Sequence, residues 1–183
     1  MYFRKRLSLT KILTMGKIRI GILSMAMLAL GYTAMAQDVD RTSFKAGFYA
    51  GLPMGDAKDF SSFGLGLDLG YHWGVSELID VGVVTGFMNA FVDTDSAAGA
   101  AGFDDFQIVP VAAAFRIYPT YSFKLGADVG YGVGINEGNE GGFYWRPTMG
   151  YNLSGNTELN VSYLNVSNDG DFSMLTLGVI FLF

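Results

Sequence analysis

From Ser43 onward, apolar residues alternate with small or polar ones at a period of two, the spacing of strands whose successive side chains point to opposite faces. The first strand is predicted from about Ser43 to Leu52, with Phe44, Ala46, Phe48, Ala50 and Leu52 facing away from Lys45, Gly47, Tyr49 and Gly51. The second is the most regular. Phe63, Leu65, Leu67, Leu69, Tyr71 and Trp73 alternate with Gly64, Gly66, Asp68, Gly70 and His72. Further strands follow at Ile79 to Phe87, Val109 to Ile117, Phe123 to Ile135, Phe143 to Leu153 and about Glu158 to Tyr163, and a closing strand runs from Phe172 to Phe183. The expected fold is all-β, an eight-stranded antiparallel transmembrane β-barrel.

The connections are expected to alternate between long and short. Pro53 to Ser61, Asp93 to Asp105, Asn136 to Gly142 and Asn165 to Asp171 are the long ones; Gly74 to Glu77, Tyr118 to Thr120 and Ser154 to Asn156 are tight. Transmembrane barrels show this asymmetry, with short periplasmic turns and longer outer loops. Pro110 and Pro147 interrupt the pattern, because a closed barrel has no edge strand to accommodate a missing amide. A bulge is expected at each.

Residue size indicates which face meets lipid. The interior of an eight-stranded barrel is just wide enough to be filled by side chains. It has no room for Phe, Tyr, Trp and Leu from every strand, so that face points outward and the glycine-rich face lines the lumen. Trp73, Tyr71, Tyr121, Phe123, Phe181 and Phe183 then cluster towards the short turns, and Tyr131, Phe143, Trp145 and Tyr163 towards the long loops. Two aromatic girdles of this kind mark bilayer interfaces.

Composition and charge sharpen the picture. Half of the residues are apolar, yet beyond the leader no apolar run approaches the ~20 residues that a spanning helix needs. The absence of cysteine excludes a disulfide scaffold and a thiolate metal site. Residues 1–36 read as a cleaved secretory signal peptide: a basic start, an apolar stretch from Ile20 to Leu30, and Ala34-Met35-Ala36 before Gln37. The barrel domain then occupies residues 37–183. Six of the twelve bases precede residue 20, whereas all seventeen acids follow residue 37, leaving the exported part at −11. No basic face exists to bind nucleic acid. The glycine runs Gly64 to Gly70 and Gly130 to Gly134 open no helix and are not nucleotide loops, so no cofactor is expected.

With this strand count, loop asymmetry and leader, and with a terminal Phe183 preceded by Phe181, the chain resembles the small eight-stranded outer-membrane barrels of the OmpX and OmpA-barrel type, in the form common among Bacteroidetes-like bacteria. The resemblance spans Gln37 to Phe183 and is specific for architecture rather than activity. It implies residence in the bacterial outer membrane, contact with lipid and lipopolysaccharide, and an assembly signal at Phe181 and Phe183 that the barrel-assembly machinery reads.

Candidate chemistry lies on the inner face. Lys45, Arg116, Lys124 and Arg146 oppose Asp68, Asp80, Asp128 and Glu158, with His72 among them. Charges in a narrow lumen must be paired, so the expectation is an internal ion-pair plug; the rival reading is an ion path through a small passive pore. Some eight-stranded barrels are lipid A-modifying enzymes, a resemblance that would place a catalytic histidine towards the outer leaflet beside a serine and an acid. His72 adjoins a short turn instead, so a structural role and a non-enzymatic protein are expected. The long loops carry Asp56, Asp59, Asp93, Asp95, Asp104, Asp105, Glu137, Glu140, Asp169 and Asp171 against a lone Lys58. This acidic surface suits divalent cations bridging to lipopolysaccharide phosphates or to a partner.

Overall fold

The computed structural model describes residues 41–96, 99, 102, 104–168 and 170–183; the expected leader over residues 1–36 and Asp169 lie outside them. Eight strands close into one antiparallel barrel in sequence order: β1 (Ser43–Met54), β2 (Ser61–Ser76), β3 (Ile79–Val92), β4 (Phe106–Ile117), β5 (Phe123–Gly134), β6 (Gly142–Ser154), β7 (Thr157–Ser167) and β8 (Asp171–Leu182). A 3-10 turn over Gly55–Asp59 joins the first two. Closure comes from β1 against β8, in register from Lys45↔Leu182 to Met54↔Ser173, so no strand keeps a free edge.

Burial alternates as the sequence pattern requires. In β2, Gly64, Gly66, Asp68, Gly70 and His72 are buried, while Leu65, Leu67, Leu69, Tyr71 and Trp73 are exposed. The same inversion holds around the barrel, with Phe48, Val83, Val111, Val129, Met149, Val161 and Leu177 all pointing outward. The outward surface is therefore a continuous apolar band, far larger than the few hundred Å² (roughly) that a soluble monomer exposes in one patch. Tyr71, Trp73, Tyr121 and Phe181 stand on it near the short turns, and Tyr131, Phe143 and Trp145 near the long loops. Phe63 and Phe91 add a stacked pair at the long-loop end, centroids 4.5 Å apart.

Two expectations need correction. Neither proline forms a bulge. Ala127↔Pro147 and Pro110↔Gly132 are ordinary rungs of the ladder on one side. On the other side pairing lapses, between Trp145↔Asn165 and Thr148↔Ser162 for β6 and between Thr85↔Val111 and Met88↔Ile108 for β4, and resumes in the same register. A missing amide thus costs a rung locally without displacing the strand. The irregularities fall elsewhere, between Ser61 and Phe63, Gly74 and Ser76, and Asn152 and Ser154. Strict alternation of long and short connections also fails at the last loop. β7 and β8 stay paired out to Ser167↔Asp171, leaving only residues 168–170 between them.

Candidate functional site

The lumen divides into an ionic layer towards the short turns and an apolar layer towards the long loops. In the ionic layer, Asp128 of β5 and Arg146 of β6 face each other across a rung. Arg146 donates from Nε to Asp128 Oδ2 at 3.1 Å and from Nη1 across the barrel to both oxygens of Asp68 on β2, at 2.9 and 3.0 Å. Arg116 Nη2 lies 2.6 Å from the other Asp128 oxygen, and Arg116 Nη1 donates to the Ala127 carbonyl. Lys124 of β5 pairs with Glu158 of β7, and Lys45 Nζ lies 3.8 Å from Asp80 Oδ2. Lys45, Asp68, Asp80, Arg116, Lys124, Asp128, Arg146 and Glu158 are all buried, and each has an oppositely charged partner.

Several of these pairs join strands that are not neighbours: β2 with β6, β1 with β3, and β5 with β7. They act as struts across the barrel, beyond what the backbone ladder supplies. At the short-turn mouth, Lys45 Nζ also donates to the Tyr118 hydroxyl at 3.3 Å, and the Arg41 guanidinium lies 4.2 Å over the Tyr118 ring. Burial, with Asp80 close by, pushes the Tyr118 phenol above its ordinary value, so it stays neutral and accepts from Lys45.

His72 sits in this layer on β2, level with Ser43 and Gly82. It is buried, neither ring nitrogen has a hydrogen-bond partner, and its Cδ2 occupies the space a side chain on Gly82 would need. Among the described residues no serine or carboxylate hydrogen-bonds to it. Phe181 and Phe183 stand at the seam between β1 and β8. Their rings lie 6.4 Å from Phe48 and 6.1 Å from Phe44, and the Phe183 amide donates to the Phe44 carbonyl.

Above the charges, Tyr49 and Tyr144 fill the mid-lumen, with the Arg146 guanidinium 5.6 Å over the Tyr49 ring. Beyond them Met88, Ile108, Leu164, Val166, Phe172 and Met174 form a packed apolar layer. A polar clasp at its edge ties the second long loop to the third. Asp105 accepts from the Val92 amide and from Asn89 Nδ2, at 2.9 and 3.0 Å, while Asn136 and Asn139 donate to the Asp105 and Gln107 carbonyls at 2.6 Å each.

No protein-family model matches the chain, and no curated protein matches its sequence. Solved structures do. The crystal structure of Ail, the attachment invasion locus protein of Yersinia pestis, superposes with a TM-score of 0.55 at 16% identity, covering 78% of this chain and 97% of that one. The fold is one that Ail shares. Ail in a phospholipid bilayer nanodisc gives 0.51 at 15% identity, over 76% of this chain and 99% of that one. A de novo designed transmembrane β-barrel gives 0.51 at 13%, over 81% and 100%. That a designed chain matches as well as a natural one locates the likeness in strand number and closure, not in any site residue.

Tyr49 and Tyr144 fall on the inner face that period two assigns them, whereas Met88, Ile108, Leu164 and their neighbours in the apolar layer are residues that the sequence pattern did not point to. Their signal was the loss of period two near the loop end, where Phe87-Met88, Ile108-Val109 and Tyr163-Leu164 are apolar on both faces.

Proposed function

We propose that this chain is an integral protein of the bacterial outer membrane, delivered by the leader over residues 1–36, with a structural or surface-contact role and no enzymatic activity. The observation that carries the reading is the inversion of polarity: an apolar band covers the outside of all eight strands, while the charges are buried inside as pairs. Water around that band would favour aggregation, whereas hydrocarbon needs only satisfied backbone groups, which a closed barrel supplies. Membrane lipid and lipopolysaccharide are its surroundings, and Phe181 and Phe183 are what the barrel-assembly machinery would read.

The lumen is sealed by two layers in series. A solute would have to separate buried ion pairs and then displace Met88, Ile108, Leu164 and Met174, which are fully buried. The lone histidine lies in the ionic layer towards the short turns, and among the described residues neither of its ring nitrogens has a hydrogen-bond partner, which supports the non-enzymatic reading.

The test is electrophoretic mobility in isolated outer membranes, with and without boiling, together with single-channel recording. A faster unboiled band in the outer-membrane fraction and an electrically silent bilayer are expected. A soluble periplasmic protein without the mobility shift would overturn the membrane assignment, and steady conductance would overturn the seal.

A further inference from the structure

At the long-loop end the barrel opens into a cavity of about 670 Å³, within the size range of small-molecule sites. Its floor is aromatic. Phe106 and Phe172 stack with centroids 4.6 Å apart, and Phe60 meets Phe172 at 6.3 Å. Phe172 is the top of the apolar layer of the lumen, and Phe60 and Phe106 pack against that layer, which supports the floor from beneath. The walls are held by the clasp around Asp105 and by Gly141, where a Cβ would strike the Gly132 carbonyl.

The rim is acidic. Asp56, Asp104, Glu137 and Glu140 line it, no Lys or Arg does so, and none of these four carboxylates takes part in an ion pair among the described residues. Asp105 and Asp171 also line the cavity, but the Asp105 carboxylate is committed to the clasp and that of Asp171 accepts from the Ser167 hydroxyl.

Two features together restrict what fits. Carboxylates at the mouth attract a cation and the aromatic floor takes an apolar body, a combination that suits a quaternary ammonium, which gives up its water far more cheaply than a metal ion does. Among the described residues no three acidic or imidazole side chains are grouped to hold a metal. We propose that this cavity is a binding site for a small organic cation with an apolar body, its charge at the acidic rim and its body on the Phe60, Phe106 and Phe172 floor. The site lies above the apolar layer and stands whether or not the lumen beneath it conducts.

The experiment is isothermal titration of the full-length protein, folded in nanodiscs of zwitterionic phospholipid, with benzyltrimethylammonium. Saturable one-to-one binding is expected. It should be weakened about fivefold or more by E137Q/E140Q and by F106L, each checked for retained heat-modifiable mobility. It should also weaken on raising salt from roughly 0.02 M to 0.5 M. Benzyl alcohol and benzenesulfonate should bind at least an order of magnitude less well. No saturable binding, equal binding of benzyl alcohol, indifference to both variants, or binding of calcium with none of the organic cation would each overturn the proposal.

Discussion

The Tyr49 ring occupies the space that a side chain on Gly66 would take. The two face each other across the β1–β2 ladder, and a Cβ on Gly66 would overlap the ring. Tyr49 is buried and its hydroxyl makes no hydrogen bond. The glycine is thus required by close packing, and the tyrosine contributes volume and a cation–π contact to Arg146 more than hydrogen bonding. G66A should lower unfolding free energy by about 1–3 kcal/mol through overpacking. Y49F should leave it within roughly 0.5 kcal/mol of the parent, because no satisfied group is lost. Urea unfolding in phospholipid vesicles, followed by tryptophan fluorescence, measures both. A Y49F protein that is severely destabilised would mean that the hydroxyl has a partner after all.

Lys124 and Glu158 form a separable pair in the lumen, since neither enters another ion pair among the described residues. K124M or E158L alone leaves one buried charge unpaired and should cost about 3–5 kcal/mol. The double variant K124M/E158L removes both charges at similar volume above Gly150, where both side chains pack, and should recover most of that loss. The double-mutant cycle in the same unfolding assay gives the coupling directly. Additive losses would show that the two side chains act independently.

Much of this architecture is legible in the chain, for reasons that differ by residue. Period two fixes which side chains share a face, so Asp68 and His72 were separable from Leu67 and Tyr71 without coordinates. Partners were not legible. Asp80 lies opposite Arg116 on the ladder, yet pairs with Lys45 across the lumen while Arg116 turns to Asp128. Such choices depend on barrel stagger and side-chain reach, which no single strand encodes. The upper lumen was hidden for a different reason. Met88, Ile108 and Leu164 have apolar neighbours on both faces, so alternation vanishes where the strand continues, and the strands read as shorter than they are.

The environment of His72 predicts that it can be removed without functional loss. Its ring fills space beside Gly82 and its nitrogens find no partner, so H72M, which keeps volume and discards two unsatisfied polar atoms, should fold at least as stably as the parent. Mass spectra of lipid A from cells carrying the parent, H72M or no copy should coincide. A lipid A species that depends on the parent and is lost in H72M would return the chain to the enzymatic reading.

Pro147 offers a test of how the barrel tolerates a missing donor. The β5–β6 ladder runs through Ala127↔Pro147 without a break, whereas β6–β7 has no rung at Arg146 or Pro147 and then resumes in register. If the gap exists because the ring nitrogen cannot donate, P147A supplies the amide where the two strands are already aligned. One additional slowly exchanging amide is expected at position 147, with a gain of about 0.5–1.5 kcal/mol in unfolding free energy. Hydrogen exchange in nanodiscs, read residue by residue, decides it. An amide at 147 that exchanges as fast as a loop amide would show that side-chain packing, and not the proline, holds β6 and β7 apart at this level.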